Sequence, residues 1–195
     1  MTEIAIIVGS TRPGRRSRTV AEWVAAEAAQ THPSSSFDIV DLADFALPLL
    51  DEATPAIFGQ YDKEHTTRWA ATIARYDGFV FVTPEYNHSI PGALKNALDF
   101  LYAEWNDKAA GFVSYGLNGG TRAVEHLRLI LAELQVATVR AQVVLSLFDD
   151  FASPTSAEQI TLTPDPHHEA TLRTLLDEVV AWSGALHTVR VGAST

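Results

Sequence analysis

The chain has 195 residues, 47% of them hydrophobic, which suffices for one sizeable core and is short for two independent ones. A net charge of −10, with 14 Lys and Arg residues scattered along the chain, leaves no basic face for a phosphate backbone and excludes nucleic acid as a partner. The lack of cysteine excludes disulfides, thiolate metal sites, Fe–S clusters and a cysteine nucleophile, and it points to a reducing compartment.

Ile4 to Val8 is a continuous apolar run rich in β-branched residues, the pattern of a strand buried on both faces. Ser17 to Thr31 follows as a helix, with Val20, Trp23, Val24 and Ala28 on one side. Phe37 to Leu42 alternates polar and apolar, as strands nearer a sheet edge do. Leu47 to Glu64, with Pro48, Pro55 and Gly59, reads as a long surface loop. A helix over His65 to Tyr76 leads into a second apolar run, Gly78 to Val82, predicted as another central strand. Helices over Gly92 to Tyr102 and Thr121 to Leu134 then alternate with strands at Gly111 to Tyr115 and Thr138 to Val144. Ser146 to Pro166, with three prolines, reads as a second long loop, and His167 to Ser183 as a helix turning Leu172, Leu175, Leu176 and Val179 inward. Gly184 to Thr195 is expected to be a poorly ordered tail.

Five strands alternating with five helices predict a single α/β domain over residues 1–183, an open parallel sheet with helices on both faces. Periodicity does not dictate strand order, but five units suit 2-1-3-4-5. No apolar run approaches the roughly 18 residues of a membrane span, so a soluble, cytoplasmic protein without a membrane partner is expected.

In such sheets ligands bind outside the carboxyl ends of the strands. After the first strand, Gly9-Ser10-Thr11-Arg12-Pro13-Gly14-Arg15-Arg16-Ser17 offers hydroxyls from Ser10 and Ser17 and the backbone N–H groups of a helix start. Together they make an anion cradle to which Arg12 or Arg16 could add charge, so a phosphate is the expected ligand. A plain Gly/Pro turn, with Ser17 as N-cap and the arginines solvated, is the alternative. Gly9 and Gly14 have the spacing of a nucleotide-triphosphate loop, but Arg15-Arg16 stand where Lys-Ser/Thr is needed, and no G-x-G-x-x-G is present. A mononucleotide's single phosphate therefore suits the loop better than a pyrophosphate.

After the third strand, Pro84 stiffens a turn that projects Glu85, Tyr86 and Asn87, an aromatic and an amide plane against which a flat ring can lodge. A capped turn leading to Pro91 at the first position of the next helix explains the same residues. After the fourth strand, Ser114 to Thr121 holds Gly116, Gly119 and Gly120, which permit close backbone approach to a ligand. No histidine spacing forms a metal site, and none is expected.

Together these segments resemble the NADPH-dependent FMN reductase family of the flavodoxin-like fold, over roughly residues 3 to 145. Gly9-Ser10-Thr11-Arg12 with Ser17 resembles its phosphate loop, and Pro84-Glu85-Tyr86-Asn87 with Ser89, Pro91, Leu94, Lys95, Asn96 and Asp99 its most diagnostic signature. The resemblance implies a three-layer α/β sandwich in which Ser10, Arg12 and Ser17 bind the FMN phosphate. Arg16 is included in that set; the alternative is that Arg15 or Arg16 meets the phosphate of NADPH or NADH. Pro84, Glu85, Tyr86 and Asn87 are implied to line the ring and ribityl chain, with backbone donors of Ser114, Gly116, Gly119 and Gly120 at the pyrimidine edge. It further implies ping-pong electron transfer from NAD(P)H through FMN to a small acceptor such as a flavin, quinone, azo compound or metal oxyanion, without a catalytic side chain. A homodimer or homotetramer with Leu94 to Trp105 at its interface is implied too, although a buried monomer core explains those apolar residues equally well. A flavodoxin, carrying electrons between proteins, is the nearest alternative. A serine hydrolase and a response-regulator receiver lack their motifs here.

Overall fold

The computed structural model describes residues 1–152 and 161–192 of the chain. Five parallel strands, β1 (Glu3–Val8), β2 (Ser36–Asp41), β3 (Gly78–Pro84), β4 (Lys108–Gly116) and β5 (Val136–Ser146), form one sheet in the order β2-β1-β3-β4-β5. Between and after them run α1 (Ser17–Thr31), α2 (Glu64–Ala74), α3 (Gly92–Asp99), α4 (Thr121–Glu133) and α5 (Pro166–Gly192). The continuous apolar runs of β1 and β3 have the predicted cause, since each strand is covered twice. Ala5, Ile7, Phe79 and Phe81 pack under α2, α3 and α4, while Ile4, Ile6, Val8, Val80 and Val82 pack under α1 and α5. The result is the three-layer, flavodoxin-like α/β sandwich.

Leu94, Leu98, Phe100, Leu101 and Trp105 are buried in the chain's own core, so their apolar character has an intrachain cause and is no sign of an interface. The ring of Trp105 lies 5.0 Å from that of Phe79, edge to face. Both core tryptophans also terminate α3: Trp69 Nε1 donates to Ala97 O at 2.8 Å and Trp105 Nε1 to Leu98 O at 3.3 Å. These carbonyls belong to the last turn of a helix, where intrahelical partners run out. The helix accordingly stops at Asp99 instead of continuing to Tyr102, and Pro91 stands one position before it.

The C-terminal segment corrects a further expectation, because residues 184–192 are helical and not a loose tail. Gly184 inside a helix costs about 1 kcal/mol relative to alanine, but the end of α5 is anchored. Arg190 pairs with the Asp77 carboxylate and donates to Asp107 O at 2.6 Å, and His187 Nδ1 lies 3.2 Å from Asp77. The second long loop carries backbone hydrogen bonds of its own. Thr163 N donates to Asp150 O at 2.9 Å and Ala152 N to Thr161 O at 3.0 Å. The stretch 153–160 of that loop, and residues 193–195 of the tail, lie outside the described residues.

Candidate functional site

Because β1, β3 and β4 are neighbours, the turns that leave their carboxyl ends converge at one edge of the sheet. The first turn departs with Gly9 N donating to Val82 O at 2.9 Å. Ser10 and Ser17 are fully buried, and each meets a phenol: Ser10 Oγ lies 2.9 Å from Tyr86 Oη, and Ser17 Oγ 3.0 Å from Tyr115 Oη. Burial pushes the Tyr115 phenol well above its ordinary pKa, so the pair is neutral. Ser17 is the first residue of α1 and not its cap. The cap position is Arg16, which has helical backbone and makes no capping hydrogen bond with its side chain, so the positive end of α1 faces the turn without a side-chain cap.

The arginines of this turn have different fates. Arg15 donates to Asp41 at 2.6 Å, and this carboxylate at the end of β2 is 3% exposed. Arg16 stacks its guanidinium 5.4 Å from the centre of the Phe151 ring. Arg12 is exposed and makes no ion pair among the described residues; its backbone N–H donates to Ser10 Oγ at 3.3 Å.

The second turn is tight. Tyr86 N donates to Ser89 O at 2.9 Å and Ser89 N to Tyr86 O at 3.2 Å, with Asn87 at φ 49° and His88 at φ 74°. Two successive left-handed residues are the type I′ geometry. The turn exposes Asn87 and His88, leaves Tyr86 half-buried and keeps Pro84 buried at the end of β3. The Glu85 carboxylate is turned away from solvent and accepts from Arg122 N at 3.2 Å, at the start of α4.

The third turn needs its glycines. Gly119 and Gly120 have φ of 69° and 73°, and a Cβ on Gly119 would lie 2.0 Å from Val144 Cγ1. Gly119 N donates to Gly116 O at 3.2 Å, so that predicted donor is already engaged within the turn. Ser114 is fully buried inside β4, and its hydroxyl donates to Gly119 O at 2.7 Å. It braces the turn from beneath, whereas Gly116 and Gly120 form the turn itself.

Thus Ser10 meets Tyr86 and Ser17 meets Tyr115, Arg12 has no ion-pair partner among the described residues, and Ser114 and Glu85 act from below. Asp41, Tyr115, Arg122 and Phe151 were missed by sequence reasoning. Asp41 and Tyr115 lie at or near carboxyl ends of strands, a position rule that could have flagged them. Phe151 and Arg122 carry no local signal. Two buried guanidinium N–H groups, Nε of Arg15 and Nε of Arg122, have no hydrogen-bond acceptor among the described residues. A cavity of about 320 Å³ beside the first turn is lined by Thr11, Leu42, Leu47, Ala93 and Asn96. A larger one, about 640 Å³, lies between β5 and α5 and includes no residue of the three turns.

The sequence model of the NADPH-dependent FMN reductase family matches residues 2–150, the span that carries all three turns. The chain belongs to that family. It is 43% identical over 150 residues to an NAD(P)H-dependent FMN reductase of a Nectria species, covering 72% of this chain and 74% of that one. It is 32% identical over 188 residues to a 2-hydroxy-1,4-benzoquinone reductase of a Burkholderia species, covering 92% and 95% respectively. The NAD(P)H:(acceptor) flavoenzyme FerB of Paracoccus denitrificans shares the fold, with a TM-score of 0.72 at 21% identity over 95% of this chain and 98% of that one. As a member of the NADPH-dependent FMN reductase family, the protein is an oxidoreductase whose cofactors are FMN and a reduced nicotinamide nucleotide. The residues present suit FMN. Buried hydroxyls, a helix start without a side-chain cap and an arginine with no ion pair among the described residues match a phosphate, and the N–H groups without an acceptor among those residues call for one.

Proposed function

We propose that this edge holds FMN with its phosphate on the first turn and its ring between the second and third, and that the flavin serves two substrates in turn. The observation that carries the reading is the 2.9 Å contact of Tyr86 with Ser10, which joins the ring-side turn to the anion seat. Ser10, Ser17 and the N–H groups of α1 bind the phosphate, with Arg12 adding a charge-assisted hydrogen bond. Arg15, held by Asp41, and Arg16, held on Phe151, stiffen the loop and contribute positive potential. Pro84, Tyr86 and Asn87 of the second turn and the Gly116 to Gly120 turn would hold the ring. Bound FMN supplies hydride and electron transfer; the protein supplies position and electrostatics.

NADPH or NADH, and then a small acceptor, dock in the same place, which makes the kinetics ping-pong. A quinone is the acceptor best supported, through the similarity to a benzoquinone reductase. No helix among the described residues is long and apolar enough to cross a membrane, and with no cysteine the chain suits the cytoplasm. A homodimer or homotetramer belongs to the same reading. Leu94, Leu98, Phe100, Leu101 and Trp105 are taken up by the chain's own core, and the exposed Leu129, with Ile90 and Ile130 in a groove of about 450 Å³ that Lys95 also lines, offers an apolar seat. The reading is tested on the purified protein: visible flavin absorbance that NADPH bleaches anaerobically and a quinone restores supports it, and a colourless protein that gains no flavin on titration sinks it. Light scattering tests the oligomer.

A further inference from the structure

Glu85 links the second and third turns from below. Its backbone N–H donates to Tyr115 O at 3.3 Å. One carboxylate oxygen accepts from Arg122 N at 3.2 Å and Ala123 N at 3.4 Å, the first turn of α4, and the other pairs with the Arg122 guanidinium. Only 7% of the side chain is exposed. A side chain at Gly116 would crowd Gly120 N at 3.2 Å and touch Glu85 Cβ at 3.6 Å, so the Glu85 stem and the glycine turn pack directly on each other.

The charges have a definite sense. A helix N-terminus carries roughly half a positive charge, which the carboxylate opposes and the guanidinium reinforces. Resting on the flavin-binding reading above, we infer that Glu85 is a positioning residue with two effects. It fixes the separation of the second and third turns through the start of α4, and with Arg122 it sets the electrostatic potential at the ring edge where negative charge grows on reduction.

The test titrates FMN-free protein with oxidised and with reduced FMN, comparing wild type with Glu85→Gln, Arg122→Gln and Glu85→Asp. Glu85→Gln removes a negative charge at constant shape, so the preference for reduced over oxidised FMN should rise about tenfold. Arg122→Gln should lower that preference about tenfold, giving opposite shifts of about 30 mV in the two-electron potential. Glu85→Asp, which keeps the charge and shortens the stem, should weaken both affinities at an unchanged ratio. Amide exchange at Arg122 and Ala123 should quicken in Glu85→Gln without any flavin present. Shifts of the same sign in the Gln variants, or none, overturn the role of Glu85 while leaving flavin binding intact. A wild type that binds no FMN overturns both.

Discussion

The two ends of the sheet are built from similar residues and behave differently. At the amino end, polar groups are closed on one another. Lys108 Nζ donates to Ile73 O at 2.9 Å, capping α2. Asp77 accepts from Glu3 N at 3.0 Å and holds Arg190, and Asn106 donates to Tyr102 O and Leu134 O at 3.1 and 2.8 Å. At the carboxyl end, by contrast, Arg12 has no acid partner among the described residues, α1 starts without a side-chain cap, and Asn87 and His88 sit exposed in left-handed backbone. The amino end pairs these groups as folded, the buried Ser183 Oγ beside Gly78 being an exception, whereas the carboxyl end has donors in surplus. That asymmetry supports the proposed site, which cavity size by itself does not pick out.

Four experiments press on this contrast. Trp105→Ala should cost about 3–5 kcal/mol of stability, the usual loss for a buried tryptophan. Urea unfolding of wild type and variant at several protein concentrations should show the same difference between them at each, since Trp105 belongs to the monomer core; a difference that changes with concentration would return it to an interface. Arg12→Ala should weaken FMN binding by about 1.5–3 kcal/mol, or roughly 10- to 100-fold, at unchanged stability. Flavin titration at the wild-type value would remove Arg12 from the site.

Lys108 offers a test by pH. Burial, reinforced by the charge of Arg190, lowers its pKa from 10.5 to about 7. Below pH 7 the folded and unfolded chains both carry the proton and the burial penalty is fully felt. Above it the folded chain sheds the proton first, so stability rises with pH, by roughly 2 kcal/mol between pH 7 and 9. Lys108→Met should flatten this slope in denaturation series and leave FMN affinity alone. The smallest effect is expected from Asp77→Asn, about 1–2 kcal/mol of stability, because Arg190 and His187 lie partly in solvent. Faster amide exchange at the end of α5, with unchanged flavin binding, would confirm that this end is structural.

Legibility followed the range of the forces involved. The strand and helix alternation, the strand order that suits it and the three turns could be read from the chain, because double burial and turn chemistry write themselves into adjacent residues. The end of α5 could not. Gly184 is a local stop signal, and what overrides it is Asp77, more than a hundred positions away. Likewise, the turn shows four arginines in a row of seven residues, Arg12 to Arg18, with nothing local to rank them.

By itself, then, the sequence determined the layers and the three turns that meet at one edge, with their hydroxyls, glycines and arginines, since each depends on periodicity or on residue type at a turn. Tertiary structure alone decided that Arg15 belongs to Asp41, that Arg16 lies on Phe151, that Arg12 has no ion pair among the described residues and that Glu85 faces α4. Those outcomes depend on which side chains the packed layers bring within a few ångströms of each other, and sequence separation carries no such distance.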